Sequence, residues 1–98
     1  MTRDTESVAD DPVGMVARFA QHYKHGPKKQ YDHLFFFSKQ KGECNSLLMF
    51  GGYVYKQRGG WIWYCGKRKE LTALCKLLKA RKDEVYSKSV LKLMERVT

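Results

Sequence analysis

The rhythm of apolar and polar positions changes twice along this chain and divides it into three stretches. Residues 1–10 (MTRDTESVAD) carry no apolar period and read as a disordered lead-in. Asp11-Pro12 then signals a helix start, because a carboxylate can cap and proline fits the first helical position. Val16, Phe19, Ala20 and Tyr23 fall at i, i+3, i+4 and i+7, so the spacing predicts a helix over 12–25 that Gly26-Pro27 ends.

From Tyr31 the composition turns to aromatics, β-branched residues and glycine. Leu34–Ser38 is expected to be a first strand. Phe35, Phe36 and Phe37 put aromatics on both of its faces, so a helix should cover at least one face, with Phe19 and Tyr23 as the natural lid. Lys41-Gly42-Glu43 reads as a turn leading past Cys44, an ordinary free thiol, into a second strand over Ser46–Phe50. Gly51-Gly52 breaks the run before Tyr53–Lys56, where aromatic, apolar and basic residues alternate. Gly59-Gly60 suits a hairpin turn, because both positions tolerate positive φ. Trp61–Cys65 then returns antiparallel, with Trp61, Trp63 and Cys65 on one face. Leu74–Lys79 fits a further strand and equally a helix. The third stretch begins at Ser87, a capping residue, and Val90, Leu91, Leu93, Met94 and Val97 give it a helical apolar face. The fold class is α+β: a small antiparallel sheet of four or five strands flanked by an N-terminal and a C-terminal helix, one domain over residues 11–98.

Charge adds a direction to this outline. Nineteen Lys plus Arg against ten Asp plus Glu leave +9 over 98 residues. Residues 56–82 hold nine basic residues (Lys56, Arg58, Lys67, Arg68, Lys69, Lys76, Lys79, Arg81 and Lys82) against Glu70 alone. Such a concentration attracts polyanions, with phosphates expected at Lys67, Arg68, Lys69, Lys76, Lys79, Arg81 and Lys82, and a solvated face as the plainer reading. Three cysteines do not make a disulfide framework, no apolar leader opens the sequence, and no apolar run reaches membrane-spanning length. A reducing interior compartment and no membrane are the expectations. Catalysis lacks support: there is no phosphate-cradling glycine loop and no paired carboxylates in an apolar setting, and Asp83-Glu84 reads as a turn. The chain is not expected to be an enzyme.

Phe37, Gly42, Leu47, Leu48, Gly52, Tyr53, Tyr55, Trp63, Cys65 and Cys75 follow one another in an order that resembles the FLYWCH zinc-finger family, whose fold is akin to the WRKY and GCM folds. The resemblance spans roughly residues 35–82. It implies a nuclear DNA-binding module in transcription or chromatin regulation, with Lys56, Gln57 and Arg58 in the groove-reading place. Lysine and arginine donate to guanine acceptors and glutamine pairs with adenine, which suits that role. The family's zinc site implies Cys65 and Cys75 as metal ligands. Its His-x-His half is absent here, and two cysteines do not complete a four-ligand zinc site. Three arrangements stay open: the histidines lie beyond this segment, the site is lost to packing by the flanking helices, or His22 and His25 supply the missing ligands. A protein-docking or homodimerising domain and an RNA-binding sheet with exposed aromatics are the alternative readings.

Overall fold

The computed structural model of the chain describes residues 9–28 and 32–97, so most of the expected lead-in, residues 1–8, lies outside the described residues. Ala9 is inside them and is tied down, its N–H donating to Ser46 Oγ at 3.1 Å. Helix α1 spans Pro12–Phe19, strands β1 His22–Lys24 and β2 His33–Ser38, and helix α2 Lys41–Ser46. A 3-10 turn over Leu47–Phe50 leads to strands β3 Tyr53–Gln57 and β4 Gly60–Cys65. Helices α3 Arg68–Lys79 and α4 Lys88–Val97 complete the chain. The α+β expectation holds: the four strands form one antiparallel sheet in the order β1-β2-β4-β3, with helices at both ends of the chain.

Two elements differ from the sequence expectation, and one left open between strand and helix is decided. Helix α1 begins as predicted, with Asp11 accepting from the Gly14 N–H and Pro12 in the first turn, but it stops at Phe19 rather than residue 25. Gln21 ends it by acting as a strand neighbour. Its side-chain amide donates to Phe37 O at 3.3 Å and accepts from the Phe37 N–H at 2.8 Å, and β1 follows in register with β2. Phe19 is consequently 56% exposed and not a lid; Met15, Val16 and Ala20 do the covering.

The second correction concerns residues 41–50, expected as a turn and a strand. Ser38 Oγ accepts from the Gln40 N–H and donates to Glu43 Oε1 at 2.5 Å, which starts α2 at once. Cys44, Leu47 and Phe50 are buried at intervals of three while Leu48 and Met49 face solvent. That is a helical spacing, not the period of two a strand needs. Cys44 is therefore a core residue and not a thiol in a turn. The third ambiguity, at 74–79, resolves as helix: Leu71, Leu74, Cys75 and Leu78 bury at i, i+3, i+4 and i+7.

The hairpin also shifts by one residue. Gln57 pairs with Gly60, so the two turn residues are Arg58 and Gly59, and Gly59 takes the left-handed φ of 82° there. Trp61 and Trp63 lie on one side of the sheet as expected. Trp63 is fully buried, and its Nε1–H donates to Gly51 O at 2.9 Å.

All the helices gather on that side. Leu34 and Phe36 from β2 and Trp63 and Cys65 from β4 share one core with Val16 of α1, Leu71 and Leu78 of α3, and Val90 and Leu93 of α4. Ion pairs pin the helical layer at its margins. Arg96 of α4 grips the fully buried Asp32 carboxylate through Nε at 3.0 and 3.1 Å and donates from Nη2 to Gly26 O at 2.7 Å. Arg81 pairs with Asp11, and Arg18 reaches Glu84 at 2.8 Å. The Tyr86 hydroxyl sits 2.5 Å from Leu78 O and 2.7 Å from Arg81 O, closing the end of α3.

Candidate nucleic-acid interface

Antiparallel pairing sorts the basic residues into separate groups. The end of β2, the end of β3 and the start of β4 lie together, since Ser38 and Lys56 both pair with Trp61. Lys56, Gln57 and Arg58 form the tip of this end, all exposed. Lys41 joins them from α2, its ammonium 4.8 Å from the centre of the Trp61 ring, with the Lys56 ammonium at 6.0 Å from the same ring. Lys39 directly follows Ser38. Trp61 thus holds two cations in place by its π face. Among the described residues no carboxylate pairs with Lys39, Lys41, Lys56 or Arg58. Lys39 and Lys41 were missed in the sequence, and the signal was there: a strand running antiparallel to Trp61–Cys65 must end beside the hairpin.

The other basic residues singled out by sequence stand elsewhere. Lys67, Arg68 and Lys69 follow the far end of β4, roughly 17 Å from the tip at about 3.4 Å per residue. Arg68, Lys69 and Lys76 line an exposed face of α3 with Thr72, Ala73 and Leu77. Lys79 and Lys82 are exposed near the end of that helix. Arg81 is taken up by Asp11 and Glu84, which raises its pKa through the hydrogen bond from its guanidinium to Asp11. The basic cluster read as one surface is therefore a hairpin tip, a helix stripe and a structural arginine.

The ligand-type residues do not come together. Cys65 and Cys75 are both buried in the common core, His22 stands on the opposite face of the sheet, and His25 follows β1 beside α4. Burial pushes the Cys65 thiol up to about 12, and the Glu70 carboxylate, 3.9 Å from its sulfur, pushes the same way. Cys75 is raised to about 11 by burial. Among the described residues no group of three or more His, Cys, Asp or Glu is placed to hold a metal.

The second sheet face carries an arrangement that sequence reasoning did not resolve. Alternation sends His22 and Lys24 of β1, His33, Phe35 and Phe37 of β2, Ile62 and Tyr64 of β4, and Tyr53, Tyr55 and Gln57 of β3 away from the helices. None of them belongs to the buried core. His22, Phe35, Tyr64 and Tyr53 are direct partners across all four strands, with successive ring centroids at 5.4, 5.2 and 5.9 Å. His33 braces this row: its Nδ1 is 2.6 Å from the Tyr64 hydroxyl and its ring is 5.3 Å from the Tyr64 ring. The close approach requires Gly66, where a Cβ would stand 2.4 Å from the Tyr64 hydroxyl and 2.9 Å from His33 Nδ1. Desolvation raises the Tyr64 pKa above its ordinary value. A pocket of about 220 Å³ at this rim is lined by His33, Tyr53, Tyr64, Lys67 and Glu70. The Phe-Phe-Phe run announced aromatics on both faces; which face stays open depends on where the helices land.

No known protein family, curated protein or solved structure matches the chain. Among the described residues no helix is long and apolar enough to cross a membrane.

Proposed function

We propose that this chain is a DNA-binding module of the FLYWCH kind, acting in the nucleus, that meets its target with the hairpin end of its sheet. The observation that carries the reading is the convergence of Lys39, Lys41, Lys56 and Arg58 on one exposed ribbon tip without a carboxylate partner among the described residues. A two-stranded ribbon is the right width for the major groove. Lys39 and Lys41 flank the tip as phosphate contacts, while Gln57 and Arg58 at its apex reach base edges. Lys67 and the α3 stripe of Arg68, Lys69 and Lys76, with Lys79 and Lys82, form a second, weaker electrostatic surface. Arg81 has no part in it.

Binding of duplex DNA followed across a salt series tests the reading. The two phosphate contacts at Lys39 and Lys41 give a log–log slope of about −1.8. Arg58→Ala costs ~1–3 kcal/mol and relaxes preference at one base pair. A flat salt dependence, or an Arg58→Ala protein indistinguishable on every duplex, overturns it.

One observation favours a protein partner as the second reading. Met49 is 71% exposed beside Leu48 and Leu77, and Met49, Phe50, Ala73, Leu74 and Leu77 line one pocket between the 3-10 turn and α3. Exposed apolar residues that cluster in this way mark a contact surface. A stable dimer in sedimentation that Met49→Lys dissolves is the result that promotes this reading to a homodimerising domain.

A further inference from the structure

The geometry points to the open face of the sheet as a stacking platform for single-stranded DNA, an inference that rests on the DNA reading above. Four strands spaced about 4.8 Å apart make the His22–Phe35–Tyr64–Tyr53 row roughly 14 Å across, room for two or three bases. Every base has a π face, so the exposed rings of Tyr53 and His22 at the two ends of the row are the places where bases stack without their sequence being read. A base inside a duplex is already stacked on its neighbours and offers no face to a sheet. The ligand is therefore an unpaired strand.

Charge decides between nucleic acid and the other occupants of an aromatic face. The ten side chains on this face include two histidines and Lys24 and no carboxylate. Lys67 stands at the rim near Tyr53 and Tyr64, with Glu70 as the acid beside it. A second copy of this chain would bring +9 against +9. A polyanion with flat rings satisfies both properties of the surface at once.

Continuity with the hairpin selects DNA. Gln57, Tyr55 and Tyr53 alternate onto this same face of β3, and Arg58 follows Gln57 directly. A strand leaving a duplex held at Arg58 passes over Tyr55 and reaches the row of rings two residues further on. The face and the tip form one path, suited to the junction between paired and unpaired DNA.

The test is fluorescence anisotropy of the full chain on a short oligothymidine, a duplex of the same length and an oligouridine. Tyr53 and His22 are exposed at opposite edges of the row, so their truncation leaves the core intact. Tyr53→Ala and His22→Ala each weaken oligothymidine binding about tenfold and leave the duplex unchanged, while Tyr53→Phe restores the loss. A 2-aminopurine base within the strand is quenched by the native chain and not by Tyr53→Ala. If both alanine variants bind oligothymidine as the native chain does, the platform is overturned, and continued duplex binding keeps the hairpin reading intact. No binding to any of the three at low salt removes both. Oligouridine held tenfold more tightly than oligothymidine assigns the face to RNA and overturns the DNA assignment.

Discussion

The two faces of the sheet are built from alternate residues of the same strands, and both are aromatic. On one, Leu34, Phe36, Trp63 and Cys65 are sealed beneath α1, α3 and α4. On the other, Phe35, Phe37, Ile62 and Tyr64 stay half-buried and Tyr53 is 61% exposed. The chain's amphipathic helices all spend their apolar stripes on the first face, and no described helix remains to cover the second. The contrast extends to charge. On the covered side Arg18, Arg81 and Arg96 are each tied to a carboxylate, whereas among the described residues no carboxylate pairs with Lys24 on the open face or with Lys39, Lys41, Lys56 and Arg58 at the tip. A count of basic residues therefore overstates what is free to meet a polyanion. Hydrophobic and ionic chemistry hold the fold on one side, and the same residue types are left available on the other.

The largest expected effect comes from exchanging equivalent truncations between the faces. Trp63→Ala removes a fully buried indole and its hydrogen bond to Gly51 O, and costs about 3–5 kcal/mol in urea unfolding. Tyr53→Ala on the open face stays within about 0.5 kcal/mol of the native chain. Equal losses for the two would mean that Tyr53 is packed in solution, and the distinction between the faces would collapse.

The ionic half of the contrast is sharpened at Asp32. Arg96→Ala leaves a carboxylate with no solvent exposure beside the Gly26 N–H but without its arginine, and the cost is about 3 kcal/mol. For a domain of this size that lowers the melting temperature by roughly 12 °C or more. Lys24→Ala, which breaks no ion pair among the described residues, moves it by a degree or two. An Arg96→Ala protein that melts with the native chain would show that the clasp is ornamental.

Much of this architecture was legible in the sequence wherever one physical signal acted alone. The cap at Asp11-Pro12, the alternation in Trp61–Cys65 and the glycine turn are local patterns, and each appears where the pattern put it, to within a residue; of the helical face Val90, Leu91, Leu93, Met94 and Val97, all but Leu91, which is 46% exposed, pack on the core. The misses occur where a distant partner overrides local preference. Residues 22–24 continue a helical apolar spacing, yet Gln21 and the free edge of β2 draw them into the sheet. Ser46–Phe50 is an apolar run of a length that suits strand or helix, and the Ser38–Glu43 hydrogen bond settles the start of the helix before it. The candidate site fared similarly. Lys56, Gln57 and Arg58 were visible as a hairpin, whereas Lys39 and Lys41 join them only through strand register. Arg81 looked like a free cation until Asp11, seventy residues away, claimed it.

The smallest effect is the acid limb of that same Asp11–Arg81 pair. The Arg81 guanidinium beside Asp11, helped by the Gly14 N–H, holds the carboxyl below its usual value near 3.8. A carboxyl whose pKa is depressed by folding contributes stability that is fully present above its unfolded pKa. That stability is lost as pH falls through the lower, folded value. The melting temperature is therefore flat from neutral pH down to about 5 and declines below about 4. Asp11→Asn removes this pair's share: the variant melts slightly lower at neutral pH and falls less steeply in acid. Both groups are partly exposed, so salt screens the difference, and it narrows at high ionic strength. The Arg96–Asp32 clasp, with its carboxylate fully buried, keeps its effect in the same buffer. If added salt erases both effects equally, burial does not separate the two pairs, and the covered side of the molecule is held by surface charge like any other part of it.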